Sequence, residues 1–580
     1  MRILNGIAAS SGISSGKVLV FTHNLLEVSK EKIEPEMVKA ELNKFENAVE
    51  SSINETQTLF NSIVDETKKE ILETHIIMLQ DPEFISEIKD AIEIHYQNAA
   101  WAVESVSASL IATLEASEIE MIRDRAMDMS DISRLIIENI LKKRTRKLST
   151  INEEVILVAD SLLPSEMLTI QKKWIKAIAV DTGGRTSHVA IFARSFGIPT
   201  VLGLNSASLK ARNGDEVILD GNEGQIIIRP EWYVKNKFDK IKHNWDIHLK
   251  DLLTVSKLPV ISPDKKTYEL KANIETPDEI MNSIDKGASG IGLFRSEFLF
   301  LQKNGLLKED IQFETYKKVL QSMDNRPVTI RTIDIGGDKA LTSFGIDEEN
   351  PILGWRAIRF CLERKDIFRI QLRALLRSSI YGKLHIMFPM ISGLDELEKT
   401  LLVFNQVKEE LRASNTPFDE DIKIGTMIEV PSAALISDEL AKRVDFFSIG
   451  TNDLIQYTIA VDRGNEKIAY LYQPFHPGVL RLIKVVIDNA HKANIPIGMC
   501  GEMASNPYAT VLLAGLGLDE FSMSPSSLLE VRKILRSVDY KEATKMANKV
   551  LKMNSSTQIV NYIKEWMSKR FEHLPKSHTL

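Results

Sequence analysis

The stretch Phe446-Phe-Ser-Ile-Gly-Thr-Asn-Asp453 places polar residues directly after a short apolar run. From residue 268 onward, apolar runs of similar length alternate with helical patterns. Strands that alternate with helices predict a parallel sheet, and a series of eight such units predicts a (β/α)8 barrel of the TIM type. The predicted strands are 270–274, 290–294, 328–333, 384–389, 424–428, 446–449, 496–499 and 520–523.

Polar and reactive side chains stand at the ends of five of these predicted strands. Enzymes with this fold place their chemistry at the carboxyl ends of the strands, so we expect these side chains to share one site. They are Arg295 after the second strand, Arg331 at the end of the third, Glu429 after the fifth, Asn452 and Asp453 after the sixth, and Cys500 after the seventh.

Four arginines of the barrel region are candidates for binding an anion. A guanidinium group grips a planar carboxylate or a phosphate through two parallel hydrogen bonds, which a lysine cannot do. For each of the four, the alternative is an ion pair on the protein surface. The candidates are Arg295, Arg331, Arg356 and Arg463.

Two carboxylates, Glu429 and Asp453, follow neighbouring strands. Together they could bind Mg²⁺ through two oxygens and leave its other positions to substrate and water. Such an ion would offset charge on a phosphoryl group in transfer. The alternative is a structural hydrogen-bond network.

The two cysteines receive different interpretations. Cys500, in Pro-Ile-Gly-Met-Cys-Gly-Glu, stands at a predicted barrel mouth, where a thiol could act as a general acid. The alternative is a small buried residue, which is the usual fate of cysteine. Cys361 lies in an amphipathic helical pattern and is expected to be buried and inert.

The first part of the chain combines two patterns. Short apolar runs bounded by glycines predict strands on both sides of a long segment without glycine, in which apolar residues recur at helical spacing. Asp81-Pro82 predicts a turn between helices, and further helices are expected over 84–98, 101–125 and 129–145. The predicted domains are a mixed α/β domain (1–25 and 148–230), an inserted helical bundle (26–147), a helical linker (231–260) and the barrel (261–580).

A candidate nucleophile lies in the mixed α/β domain. The segment Asp181-Thr-Gly-Gly-Arg-Thr-Ser-His188 leads from a predicted strand into a predicted helix. The backbone N–H groups at the start of a helix favour an anion, and neutral imidazole is a competent nucleophile near pH 7. His188 is therefore a candidate phosphoryl acceptor, and the alternative is a capping or packing histidine.

Composition narrows the class of protein. A formal net charge of −7 lacks the basic excess typical of nucleic-acid binders. Only two cysteines in 580 residues exclude a disulfide scaffold and favour a reducing compartment. The N-terminus lacks the apolar core of a signal peptide, and no run of 18 apolar residues occurs. A cytoplasmic protein is expected.

These motifs resemble enzyme I of the bacterial phosphoenolpyruvate-dependent sugar phosphotransferase system. The similarity runs from Gly6-Ile-Ala-Ala-Ser-Ser-Gly12 to the last barrel units. The stretches Gly183–His188 and Ser448–Gln456 are specific to enzymes that use phosphoenolpyruvate. Val189 departs from the small residue that relatives usually carry after the histidine.

The resemblance implies a phosphoenolpyruvate-protein phosphotransferase in which His188 is phosphorylated and Cys500 donates a proton. It also implies that the helical bundle binds the histidine phosphocarrier protein HPr and that the barrel forms a homodimer. The substrate-binding residues are then Arg295, Arg331, Asn452, Asp453, Arg463 and Arg356, and the Mg²⁺ ligands are Glu429 and Asp453.

Two alternatives stay open at this point. A pyruvate phosphate dikinase or phosphoenolpyruvate synthase shares the histidine and barrel signatures but needs an ATP-binding domain. No glycine occurs from 17 to 182, and Gly12-Ile-Ser-Ser-Gly-Lys17 is one residue short of a P-loop, so an ATP site is not predicted. The second alternative is a non-catalytic scaffold that senses phosphoenolpyruvate.

Overall fold

The computed structural model divides the chain into two compact units, Met1–Trp245 and Asp246–Leu580, each of which is considered by itself. It describes residues 1–10, 12–22, 28–62, 66–116, 120–143, 148–183, 189–190, 192–193, 197–301, 307–335, 350, 352–462 and 468–571. Among these residues, no helix is long and apolar enough to cross a lipid bilayer.

The first unit contains an eight-stranded mixed sheet with the order β1-β8-β7-β3-β4-β5-β6-β2. Strands β3 to β6 pair in parallel, and the remaining pairs are antiparallel. The strands are β1 (Arg2–Asn5), β2 (Ile7–Ser10), β3 (Ile13–Phe21), β4 (Val155–Ala159), β5 (Ile175–Val180), β6 (Thr200–Leu202), β7 (Glu216–Asp220) and β8 (Gln225–Ile228).

The two edge strands of this sheet are separated in sequence by Gly6 alone. The Gly6 N–H donates to the carbonyl of Gly224 at 2.8 Å, and a Cβ at this position would lie 2.3 Å from the carbonyl oxygen of Leu202. A side chain does not fit there, so glycine allows the chain to pass from one edge of the sheet to the other.

The central strand β4 is buried on both faces of the sheet. Leu157 packs into one apolar cluster and Ile156 into another on the opposite face. A strand covered on both faces needs apolar residues at every position, which explains the unbroken run Val-Ile-Leu-Val-Ala.

In the described part of the segment between β3 and β4, the α-helices are α1 (Val38–Ser62), α2 (Glu66–Leu79), α3 (Pro82–Glu93), α4 (Ala99–Glu115) and α5 (Glu120–Leu141). The turn predicted at Asp81-Pro82 is confirmed, since the Asp81 carboxylate accepts from the N–H groups of Glu83 and Phe84 and caps α3. The helix predicted over 101–125 is wrong, because α4 ends at Glu115 and α5 begins at Glu120. Apolar spacing continues across this break without Gly or Pro, so the sequence pattern did not mark it.

This part of the chain also contains the helices α6 (Pro164–Thr169), α7 (Ala207–Lys210) and α8 (Trp232–Thr254), and residues 189, 190, 192 and 193 are helical as well. Helix α8 covers most of the predicted linker and contains the boundary between the two units.

The second unit is built on a closed barrel of eight parallel strands, which confirms the predicted fold. The third strand is shorter than predicted because the N–H of Ile333 donates to the side chain of Gln371 at 2.9 Å. The strands are β9 (Glu269–Ile274), β10 (Ile291–Arg295), β11 (Val328–Arg331), β12 (Leu384–Phe388), β13 (Lys423–Ile428), β14 (Phe446–Ile449), β15 (Ile497–Met499) and β16 (Glu520–Met523).

Helices alternate with these strands. They are α9 (Glu279–Asp285), α10 (Glu297–Leu301), α11 (Glu309–Ser322), α12 (Ile358–Glu363), α13 (Lys365–Ser378), α14 (Leu394–Ala413), α15 (Pro431–Leu435), α16 (Ser437–Leu440), α17 (Thr451–Ile459), α18 (Pro477–Lys492), α19 (Pro507–Leu516), α20 (Leu528–Ser537), α21 (Tyr540–Val550) and α22 (Ser556–Ser568).

Candidate active site

The carboxyl ends of the barrel strands bring several predicted residues into one charged cluster. Arg331 ends β11, Glu429 follows β13, Asp453 lies in the first turn of α17, and Cys500 follows β15. Glu429 is close enough to Arg331 and Asp453 for their charges to act on it, and Cys500 is influenced by Arg331 and Glu429. His188 and Arg463 lie outside the described residues.

Arg331 is buried between two carboxylates. Its Nη2 contacts Oε1 of Glu297, and its Nη1 lies 3.0 Å from Oδ2 of Asp334. Nη1 also lies 3.8 Å from the sulfur of Met427. Within the described part of the chain, the buried Nε of Arg331 has no hydrogen-bond partner. An oxyanion in the barrel mouth would supply one.

Arg356 is buried as well, so it does not belong to a surface ion pair. Its Nη2 lies 2.9 and 3.0 Å from the two oxygens of Asp334, and its Nε lies 3.2 Å from Oδ1. Nη1 donates to the hydroxyl of Tyr457 at 3.3 Å, and Nη2 lies 3.7 Å from Asp453. Burial opposes the charge on the guanidinium, but the facing carboxylates, Asp334 first, raise the pKa of Arg356 above its ordinary value.

Arg295 occupies a more open position than the other two described arginines. Its Nη1 lies 2.5 Å from Oε1 of Glu275, and 37% of the arginine side chain is exposed to solvent. Arg295 also lines a cavity of about 210 Å³ together with Asn273, Cys500 and Ser524. This arginine can therefore be reached from solvent.

Glu429 is a buried carboxyl group. Its Oε1 accepts from the N–H of Met390 at 2.7 Å, and a Cβ on Gly450 would lie 2.7 Å from its Oε2. Burial and the negative charges of Asp453 and Asp334 raise the pKa of Glu429 to about 8, although the two buried arginines oppose this. Glycine at position 450 keeps side-chain atoms away from the carboxyl oxygen.

The pair Glu429 and Asp453 fits a magnesium site. The mutual repulsion of the two carboxylates is relieved by a cation, and Mg²⁺ commonly binds one or two carboxylates together with phosphate oxygens and water. Two carboxylates leave the other coordination positions of such an ion to substrate and water.

Asn452 is tied to the loop that carries Cys500. Its Nδ2 donates to Oε1 of Glu502 at 3.1 Å, and its Oδ1 accepts from the N–H of Glu502 at 3.1 Å. A Cβ on Gly501 would lie 1.8 Å from Oγ1 of Thr451, so only glycine allows this close approach. The start of α17 and the Cys500 loop are therefore packed as one piece.

Cys500 lies at the top of the barrel interior, in contact with the apolar cluster of Leu293, Met387 and Met427. Burial raises the pKa of its thiol to about 11, although a hydrogen bond with Ser448 and the charge of Arg331 partly offset the effect. The thiol is therefore protonated at neutral pH, as a proton donor requires. Cys361 is fully buried, as predicted, and burial raises the pKa of its thiol well above the ordinary value.

Four carboxylates of this site were not singled out from the sequence. Three of them lie within three residues of a residue that was, and the fourth directly follows the first predicted strand, so a search for acidic residues near the ends of the predicted strands would have found all four. They are Glu275, Glu297, Asp334 and Glu502.

The family models of the phosphoenolpyruvate-utilising enzymes match most of the chain. The N-terminal domain model matches residues 5–125, the mobile domain model matches 151–224, and the PEP-binding domain model matches 250–540. The barrel and its charged mouth thus coincide with the PEP-binding model.

Curated relatives match over nearly the full length. The chain is 41% identical to a phosphoenolpyruvate-protein phosphotransferase of Bacillus sp. (strain S), over 98% of each chain. It is also 41% identical to the protein of the same name from Bacillus subtilis (strain 168), over 97% of this chain and 100% of that one. A Staphylococcus aureus (strain MRSA252) protein of this name is 40% identical over 97% of this chain.

Proposed function

Because this chain belongs to the phosphoenolpyruvate-protein phosphotransferases, we propose that His188 is its phosphoryl acceptor and that HPr receives the phosphoryl group from His188. Phosphotransfer from phosphoenolpyruvate follows from the family membership itself. One observation supports a phosphoryl-donor site in the barrel. Arg331, Arg356 and a protonated thiol all lie at the same end of it.

The arginines suit a donor that carries both a carboxylate and a phosphate. Arg331 and Arg356 are fixed and buried, and Arg295 lies at the edge of the adjoining cavity. Hydrogen bonds and charge from these groups would orient phosphoenolpyruvate for in-line attack. Asn452 and Arg463 complete the proposed substrate-binding set, together with Asp453.

Glu429 and Asp453 would bind Mg²⁺ in this proposal. The ion, when bound, supplies positive charge that stabilises the phosphoryl group during transfer. The N–H of Met390 holds Oε1 of Glu429, and the absence of a side chain at Gly450 leaves room for Oε2.

Transfer proceeds by attack of a His188 imidazole nitrogen on phosphorus. The N–P bond forms, the bridging P–O bond breaks, and the electron pair of that bond leaves on the enolate of pyruvate. The Cys500 thiol then gives its proton to the methylene carbon of the enolate, which yields pyruvate, and the thiolate recovers a proton from solvent. The raised pKa of Cys500 keeps this proton in place until the enolate forms.

The described residues on either side of the acceptor segment are anchored. The Asp181 carboxylate accepts from the N–H of Ala207 and from the hydroxyl of Ser208, both at 2.5 Å. Val189 is buried in the apolar cluster that contains Leu157. In this sequence, the larger residue after the histidine therefore contributes to the core.

We propose that the domain that carries His188 moves about the linker, residues 231–260. The barrel end of this linker is fixed, because Arg532 donates to the carbonyls of Ser256 at 2.5 Å and Leu258 at 2.7 Å. The pivot therefore belongs on the amino-terminal side of Ser256. A cross-link that locks the two units should abolish turnover but spare phosphoenolpyruvate binding, and turnover in the locked form would contradict the swing.

The remaining roles are assigned to whole domains. The helical bundle, residues 26–147, is proposed to bind HPr, and the barrel, residues 261–580, to form the homodimer. We place the protein in the cytoplasm, where HPr and sugar uptake require it.

The experiment that tests this function is incubation of the intact chain with phosphoenolpyruvate and Mg²⁺, without ATP, followed by intact-mass measurement. We expect a gain of one acid-labile phosphoryl group, release of pyruvate, and no gain in His188→Ala. The exposed His95 provides a matched control, and His95→Ala should be phosphorylated as the wild type is. Dependence on ATP would favour the dikinase alternative, and no gain in folded wild type would favour the scaffold.

A further inference from the structure

We propose that Asp334 is a positioning residue that fixes Arg331 and Arg356 relative to each other, and so sets the spacing at which the two arginines hold the phosphoryl donor. The inference rests on the proposed function, in which these arginines bind phosphoenolpyruvate. Asp334 itself is not proposed to touch the substrate.

The geometry places one carboxylate between two guanidinium groups. Oδ1 of Asp334 lies 2.9 Å from Nη2 and 3.2 Å from Nε of Arg356. Oδ2 lies 3.0 Å from Nη2 of Arg356 and 3.0 Å from Nη1 of Arg331. Asp334 is 5% exposed, so solvent screens these interactions little. Both arginines thus contact the same carboxylate, Arg356 through both oxygens and Arg331 through Oδ2.

The backbone around Asp334 is itself held on both sides. The N–H of Ile333 donates to Oε1 of Gln371 at 2.9 Å, and the carbonyl of Ile335 accepts from the N–H of Ala357 at 3.1 Å. The second bond joins the segment of Asp334 directly to the segment of Arg356. The backbone that carries Asp334 is therefore fixed on both sides, which limits the positions open to its carboxylate.

The side chain of Gln371 also helps to hold the backbone of Arg331. Gln371 donates to Oγ of Ser296 at 3.0 Å, and that hydroxyl donates to the carbonyl of Arg331 at 2.7 Å. One side chain of α13 thus braces the end of β11 and the residue before Asp334. This arrangement is suited to placing charged groups within a fraction of an ångström, which catalysis by orientation requires.

Electrostatics predict a distinctive effect of removing the Asp334 charge. Two buried guanidinium groups repel each other, and a carboxylate between them offsets that repulsion. Without the charge, the arginines would move apart, but they would attract an anionic donor at least as strongly as before. Substrate affinity should therefore be kept or improved while the orientation needed for transfer is lost.

The test compares Asp334→Asn and Asp334→Glu in the full chain with phosphoenolpyruvate and Mg²⁺. For both variants we expect kcat to fall about a hundredfold, the size of effect that displacement by about 1 Å produces. For the Asn variant, we expect KM for phosphoenolpyruvate to be unchanged or lower. Asp366 is a matched control, since it pairs with Arg364 at 2.8 Å on the surface, and Asp366→Asn should leave both constants unchanged.

The outcomes separate this inference from the proposed function. If the wild type is phosphorylated normally and the kcat of Asp334→Asn lies within threefold of the wild-type kcat, the inference alone is wrong. A fall in kcat that matches the fraction of unfolded protein, or one accompanied by a parallel rise in KM, also overturns it. If the Asn variant does not fold, the Glu variant decides by the same kcat criterion. Absence of phosphorylation in the wild type overturns both the inference and the proposed function.

Discussion

Arg295 and Glu275 form an ion pair at the mouth of the barrel, with Nη1 of the arginine 2.5 Å from Oε1 of the glutamate. Both side chains are partly exposed, at 37% and 44%, and Arg295 borders the candidate substrate cavity. A negatively charged donor that binds Arg295 must compete with Glu275 for the same guanidinium group.

Removal of the Glu275 charge should therefore tighten substrate binding. A partly exposed ion pair contributes about 0.2–1 kcal/mol, so Glu275→Gln is expected to lower KM for phosphoenolpyruvate by roughly 1.4- to fivefold. Steady-state kinetics measure this change. Glu398, which pairs with Arg443 at 3.2 Å on the surface, is the control, and Glu398→Gln should have no effect. A raised KM in Glu275→Gln would mean that the glutamate supports Arg295 instead of competing for it.

Glu502 should orient Asn452 for its proposed contact with the substrate. The Glu502 side chain accepts from Nδ2 of Asn452 at 3.1 Å, and Glu502→Ala removes this acceptor. A lost hydrogen bond of this kind is worth about 0.5–1.5 kcal/mol, so we expect kcat/KM to fall by roughly two- to tenfold. Glu502→Gln keeps an acceptor oxygen and should restore most of the loss. If kcat/KM of Glu502→Gln is as low as that of Glu502→Ala, Glu502 acts through its charge and not through its hydrogen bond.

The Cys500 thiol should remain a proton donor over the whole neutral range. Its pKa, raised to about 11 by burial, means that deprotonation begins to matter only as the pH approaches 11. The thiol should therefore cause no loss of pyruvate formation between pH 7 and 9 when the pH–rate profile is measured.

Substitution tests the same role for Cys500. Cys500→Ala should lower the rate of pyruvate formation by about 10²–10⁴-fold, the usual contribution of a general acid. Cys361→Ala is the control, because Cys361 is buried against the carbonyl of Ile333 at 3.9 Å and has no proposed role. An unimpaired Cys500→Ala would show that another group or water protonates the enolate.

The barrel was predictable because each strand is marked locally. For each strand, the short apolar run, the turn residues and the polar residue at its end lie within a few positions of one another in the sequence. The alternation of strand and helix patterns was therefore sufficient to predict the barrel. The positions of Arg331 and Glu429 at the mouth followed from the rule that parallel strands end on one side of the barrel.

The partners of those residues were not predictable in the same way. Asp334 lies three residues after Arg331, but its contact with Arg356 depends on how two loops fold back on each other. The break between α4 and α5 was also missed, since the apolar spacing continues through it. Local patterns specify elements, whereas ion pairs between distant segments depend on tertiary packing.

An ion pair with a buried lysine lies near the amino-terminal ends of the strands, opposite the candidate active site. Nζ of Lys271 lies 2.5 Å from Oε2 of Glu520, the first residue of β16, and the lysine side chain is 8% exposed. His385 is nearby, and burial together with the positive charge of Lys271 lowers the pKa of its imidazole to about 4. His385 is therefore neutral at pH 7, and Glu520 compensates the lysine charge.

Breaking this pair should destabilise the barrel without changing its chemistry. Glu520→Gln leaves Lys271 buried without its counter-ion, which costs about 3–5 kcal/mol, whereas Lys271→Met combined with Glu520→Leu removes both charges and should restore much of the loss. Thermal and urea unfolding measure the stabilities, and KM for phosphoenolpyruvate should stay at the wild-type value in every folded variant. Glu439→Gln, in a pair with Lys442 on the surface, should cost less than about 1 kcal/mol. If the double variant is no more stable than Glu520→Gln, the loss comes from packing around Glu520 and not from the unpaired lysine.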